Sequence, residues 1–239
     1  MKNNLLLLLI LSVTFFSACS DDDNEDKSLV GKWNVPAVQL NGEEYVSGPL
    51  TLSISSSDTE MNETLAGLVP WGEKMANMAL VQVLQDVTFQ KNGQIVATYR
   101  DSASAEWQVS AEKYLTYKVV SDTRMKLHLN LTNILAETNI DLSAMTGQLD
   151  STDLATLMAF MTKITTEGIT VDYLLSANAD QLSITLNKAV VDEIIPLVPI
   201  FAKLIPATGN LAVITQILPQ VPALWPKVDT FRVTLNLER

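Results

Sequence analysis

Val87-Thr88-Phe89-Gln90-Lys91-Asn92-Gly93-Gln94-Ile95-Val96-Ala97-Thr98-Tyr99 places two runs rich in β-branched and aromatic residues on either side of Lys-Asn-Gly. Alternation sends every second side chain to the same face of a strand, and Asn-Gly supplies the positive φ of a tight antiparallel turn. The stretch predicts a β-hairpin. Downstream, 105–109, 114–119 and 125–131 repeat the pattern at short intervals, the last alternating strictly. Such spacing leaves no room for the crossover helices of a parallel sheet, so the sheet is expected to be antiparallel.

Working outward, 169–174 and 181–186 read as a second hairpin across Asn178-Ala179-Asp180, and 230–237 as a last strand placed to pair with the first and close the sheet. On the other side, Leu50-Thr51-Leu52-Ser53-Ile54-Ser55 alternates apolar and hydroxyl side chains. Ser28-Leu29-Val30-Gly31-Lys32-Trp33-Asn34-Val35 opens the folded domain, with Asn41-Gly42 as a hairpin turn behind it.

Three stretches switch to a period of three or four and predict helical insertions near 58–84, 150–167 and 189–224. In the first, Asp58 or Thr59 is the expected N-cap, and Pro70 and Gly72 are expected to split the segment into two helices. Its Met61, Met75 and Met78 fit core packing better than a ligand-facing lid. In the second, Ser151 or Thr152 is the expected cap, the end lies near Gly168, and Leu154, Leu157, Met158, Met161 and Ile164 share one side. The third has no charge from Leu204 through Pro226, yet Pro206, Gly209, Pro219, Pro222 and Pro226 speak against a membrane span. It reads as short helices, roughly 189–204 and 210–218, with a proline-rich exit through Trp225. The fold expected is thus mainly β, α+β by content: one antiparallel barrel or sandwich with helical insertions over 29–239.

Before that domain, Lys2, the apolar run from Leu5 to Phe16 and Ser17-Ala18 read as a signal peptide over 1–18. About 20 apolar residues are needed to span a bilayer, more than this run holds. Cys19 directly after small residues resembles the lipobox of bacterial lipoproteins, although Phe16 stands where that family usually has Leu. The resemblance implies lipidation of Cys19, and membrane attachment by an anchor and not by a span. Ser20, Asp21, Asp22 and Asp23, followed by Asn24-Glu25-Asp26, resemble the acidic export signal of Bacteroidetes lipoproteins, which implies the outer face of the outer membrane. Residues 19–28 are then an acidic tether, kept extended by like charge.

The formal net charge is −11, and −12 without Lys2. An acidic surface speaks against nucleic acid as a partner. The one cysteine, Cys19, leaves no thiol for a disulfide, a catalytic nucleophile or a zinc site. His128, the sole histidine, faces away from Leu127, Leu129 and Leu131 with Lys126 and Asn130, where no Ser or Cys motif accompanies it. Carboxylate pairs such as Glu43-Glu44 and Asp150 with Asp153 lack any chemistry that spacing alone assigns. The acidic tether lacks the glycine and ligand spacing of a calcium loop, and no phosphate loop is present. No catalytic residue, cofactor or metal is expected, and the chain is not read as an enzyme. Asp101-Ser102-Ala103 and Asp150-Ser151-Thr152 resemble the Bacteroidetes O-glycosylation pattern, with a helix cap as the alternative for Ser151.

Gly31-Lys32-Trp33 at the first strand resembles the entry motif of lipocalin-like barrels, in which Trp packs across the closed end and Gly permits close approach. With the anchor and the strand pattern, the chain resembles uncharacterised lipocalin-like (calycin-like) lipoproteins of Bacteroidetes. The resemblance implies a surface lipoprotein that binds a hydrophobic or amphiphilic small ligand inside the barrel. The alternative is a protein or glycan interaction module of an outer-membrane uptake assembly, with 189–226 packed on an outer-membrane protein partner.

Overall fold

The computed structural model describes residues 29–100, 106–130, 133–134, 149–204 and 218–239. In chain order the strands are β1 (Gly31–Asn34), β2 (Gln39–Asn41), β3 (Glu44–Ser47), β4 (Leu50–Ser55), β5 (Leu84–Phe89), β6 (Gln94–Tyr99), β7 (Gln108–Val109), β8 (Leu115–Ser121), β9 (Arg124–Leu129), β10 (Ile169–Leu175), β11 (Gln181–Asn187) and β12 (Thr230–Glu238). The α-helices are α1 (Thr59–Val83), α2 (Ser151–Thr166), α3 (Lys188–Ile194), α4 (Val198–Leu204) and α5 (Val221–Leu224).

Eight of the described strands form a closed antiparallel ring in the order β1-β5-β6-β8-β9-β10-β11-β12, consistent with the lipocalin-like barrel that the family resemblance implied. Its founding hairpin, β5–β6, turns at Gly93 with φ 78°, a conformation open to glycine at little cost. The ring closes where Asn34 pairs with Glu238, and Asn34 Nδ2 also donates to Glu238 O at 3.3 Å. The last strand does meet the first, as the alternation led us to expect, but only at its tip. Along Thr230 to Leu235 its partner is β4, while β11 runs beside its other edge. β2 and β3 form a separate hairpin, and β7 extends β6.

Inward-facing residues fill the barrel. Trp33, Phe89, Met125, Leu127, Val171, Leu182, Leu235 and Leu237 are all buried. Among Val87, Phe89, Ile95, Leu127, Ile184, Leu235 and Leu237 there remains an apolar void of about 10 Å³, about the room of a single water. Among the described residues these side chains line the barrel axis at this level.

One end is covered by helices. α2 leads into β10 and α3 leaves β11, and their Phe160, Ile164, Val190 and Ile194 join the barrel core together with Leu197, Ile200 and Phe201. Gly168, at φ 70°, turns the chain from α2 into β10, and a Cβ there would lie 2.6 Å from Leu127 O. Proline sets the joints: a 3-10 turn at Ile195–Leu197 separates α3 from α4, so the expected 189–204 helix is two short ones. The expected 210–218 helix lies outside the described residues except for Leu218, which opens a 3-10 turn. No described helix is long and apolar enough to cross a membrane.

Two expectations are corrected in the helices. α1 runs unbroken for 25 residues through Pro70 and Gly72. A proline removes one intrahelical hydrogen bond, and here Glu73, Asn77 and Leu80 beyond it hold the helix against the barrel. In α2 the cap is Asp150, not Ser151 or Thr152. Asp150 Oδ1 accepts from the backbone N–H of Thr152 and Asp153, and Asp153 Oδ2 accepts from Asp150 N, a reciprocal box that satisfies the orphan donors of the first turn.

Candidate functional site

α1 carries the most distinctive surface of the described molecule, and its placement begins with a cap. Asp58 Oδ1 accepts from Met61 N at 3.0 Å, and its Oδ2 pairs with Lys227 Nζ at 2.7 Å. The Lys227 ammonium, and then the Met61 N–H, hold the Asp58 carboxyl below the usual range; Lys227 itself is raised by the same contact.

From there the helix runs beside the edge of β4 that faces away from β12. Asn77 Oδ1 accepts from Leu50 N at 2.7 Å, and Asn77 Nδ2 donates to Leu50 O at 2.7 Å. One turn back, Glu73 Oε2 accepts from Leu52 N at 2.9 Å. At the helix start, Asn62 Oδ1 accepts from Ser56 N at 2.9 Å and its Nδ2 donates to Ser56 O. Leu50, Leu52 and Ser56 share parity, so these backbone groups point to one edge. Side-chain amides and a carboxylate thus take up hydrogen bonds that a neighbouring strand would supply.

The same residues fasten the β2–β3 hairpin. Tyr45 Oη donates to Glu73 Oε1 at 3.2 Å and accepts from Asn77 Nδ2 at 2.9 Å. Burial, then the Glu73 carboxylate, push the Tyr45 phenol up. Gly48 makes the approach fit, since a Cβ there would lie 2.4 Å from Asn77 Cγ.

While Asn62, Glu73 and Asn77 turn inward, α1 turns a set of apolar residues out. Leu68, Trp71, Met75 and Met78 are 48%, 49%, 46% and 37% exposed. Their spacing of three, four and three lays them along one stripe of the helix. The expectation that Met75 and Met78 pack in the core is therefore corrected: Asn77 and Leu80 are the fully buried positions. Nothing described lies within 4 Å of a Cβ built at Gly67 or Gly72, so the stripe is flanked by open space.

The other sequence candidates separate. Cys19, Ser20, Asp21, Asp22, Asp23 and Ser102 lie outside the described residues. Ser151 is exposed at the start of α2. Asp150 and Asp153 form the helix cap and meet Lys203, which lies 2.5 Å from Asp153 Oδ2. Glu43 and Glu44 are exposed at the β2–β3 turn. His128 stands outside the barrel, as its strand phase implied, with Nδ1 3.2 Å from Thr165 O. Trp33 is fully buried, as the Gly31-Lys32-Trp33 reading placed it, and donates from Nε1 to Leu29 O at 2.8 Å. Asp86, buried between β1 and β6, is matched by Lys32 Nζ at 2.7 Å and by the Thr98 hydroxyl at 3.0 Å. No group of three metal-ligating side chains forms among the described residues.

Sequence reasoning missed Arg239, which stacks on Trp33, and the Asn62/Glu73/Asn77 set. The latter had a signal: three polar residues at spacings of 11 and 4 fall on one face of a helix. Comparison with protein-family models, curated proteins and solved structures finds no match to the chain.

Proposed function

We propose that the protein is a lipid-anchored, surface-exposed module of the outer membrane, and that it binds a protein partner through the outside of its barrel. The exposed apolar stripe Leu68-Trp71-Met75-Met78 carries the reading, because contiguous apolar surface displaced from a core is typical of contact sites. Trp and Met are also side chains enriched at the centres of protein interfaces. The packed barrel axis favours this over binding of a hydrophobic small ligand in the lumen. The anchor rests on Cys19 after its apolar leader, and the outward address on Ser20 to Asp23.

The test has two parts. Cys19→Ala is expected to release the protein from the membrane fraction, and replacement of Asp21, Asp22 and Asp23 by Ala to keep it anchored but hidden from external protease. In cells, Trp71→Ser with Met75→Ser is expected to abolish a defined cross-linked partner while the isolated protein keeps its melting temperature. Retention of a stoichiometric lipid by purified protein lacking Cys19, with the cross-links unchanged by the double substitution, defeats the proposal in favour of a ligand carrier.

A further inference from the structure

We infer that α1 is a releasable strap: it occupies the place of a strand on the outer edge of β4, and it opens as a unit while the barrel stays closed. This stands on the edge hydrogen bonds and not on the stripe or the anchor.

The fit between helix and strand is a matter of pitch. From Asn62 to Asn77 an α-helix rises ~22 Å, and from Leu50 to Ser56 a strand advances ~20 Å. Asn77 and Glu73 therefore meet residues of one parity in β4, and Asn62 meets Ser56, of the same parity, just beyond its end. Such a match lets one helix cover an edge without any strand between them.

Its grip is local. Of the 25 residues of α1, only Asn77 and Leu80 are fully buried. The middle of the helix contains Gly67, Pro70 and Gly72, each a poor helix former. Neither glycine has a neighbour that would reject a side chain, so packing does not require them. The ring, meanwhile, closes without α1, through β1 with β5 and Asn34 with Glu238. When α1 leaves, the polar groups at Leu50, Leu52 and Ser56 pass from side chains to water, an exchange of small net cost. The bared edge of β4 is of the kind that takes on an extended peptide.

Native-state hydrogen exchange tests this on the intact chain. The amides of Leu50, Leu52 and Ser56 are expected to exchange together with those of α1, at lower denaturant than the amides of β11. Gly67→Ala with Gly72→Ala is expected to raise protection of these three by about 20-fold. Ile184→Val, inside the barrel, is expected to lower protection in β11 about 5-fold and leave the three edge amides unchanged. If the edge amides instead follow β11 in wild type and fall with Ile184→Val, α1 belongs to the barrel's cooperative unit and the strap is refuted.

Discussion

The guanidinium of Arg239 lies 4.3 Å from the ring centroid of Trp33, and its Nη2 donates to Val30 O at 3.1 Å. The last residue thereby covers the largest buried side chain of the first strand and pins the backbone beside it. Gly31, at φ 135°, brings that backbone under the guanidinium, with Arg239 Nη2 3.6 Å from where a Cβ would sit.

Arg239→Ala is expected to cost about 1 kcal/mol, the sum of a partly solvated cation–π contact and one hydrogen bond. Trp33→Ala should cost about 3–5 kcal/mol, because it also opens a cavity in the core. Urea denaturation followed by circular dichroism separates the two. Equal losses would mean that the arginine, not the indole, holds this end of the first strand.

The cluster at Asn77 makes a sharper demand. Asn77→Ala leaves the N–H and C=O of Leu50 without partners in a buried place, and a loss of about 3 kcal/mol is expected. Gly48→Ala should cost a comparable amount through its clash with the Asn77 side chain. Combined, the two should cost clearly less than their sum, since truncation at Asn77 removes two of the three atoms that a Cβ at Gly48 meets. Strict additivity in a denaturation cycle would contradict the contact.

Acid should act on three helix-associated carboxylates only below the range of ordinary ones. Asp58 is lowered by Lys227, Asp150 by the Asp153 N–H, and Asp192 by Lys188 and then Trp225. A lowered folded value means that the stabilisation is fully present above the unfolded Asp value of about 3.9. It is lost only as the pH falls through the lowered values. Helical circular dichroism should therefore hold to about pH 4 and decline below it. At the alkaline end the raised Tyr45 and Lys227 reverse the sign, and stability falls as the pH rises through their folded values. In tyrosine absorbance the Tyr45 phenol is expected to titrate late, and earlier after Glu73→Gln.

Filling of the barrel predicts a gain of function by loss of a side chain. Phe89→Ala should destabilise by about 3–5 kcal/mol and leave an apolar cavity where the void is now about 10 Å³. Benzene is expected to raise the melting temperature of Phe89→Ala, as empty apolar cavities admit it. The wild type should show no such shift; an equal shift there would indicate room in the barrel already.

Much of this architecture was legible because burial repeats with strand period. Strands β4 to β6 and β8 to β12 fall on the alternating stretches, since a one-residue slip would turn Leu127 or Ile184 to water. What escaped was set by tertiary contact. Pro70 did not end α1, because Glu73 and Asn77 beyond it are fastened to β4, and Asn62 before it holds the loop at Ser56. Met75 and Met78 carry helical spacing, but spacing alone does not say which face meets the barrel. Arg239 was invisible as a partner of Trp33, for no local rule links residues so far apart. The proposed anchor, by contrast, rests entirely on local order around Cys19.

The sharing of β12 orders the folding of the chain. Residues Thr230–Glu238 supply the neighbour of β11, of β4 and of the tip of β1. Until those last residues have emerged from the ribosome, three strand edges wait unpaired, and non-local pairings of this sort form slowly. A chain cut short at 229 keeps every described helix yet cannot complete the ring, so premature termination should yield aggregation rather than a smaller barrel.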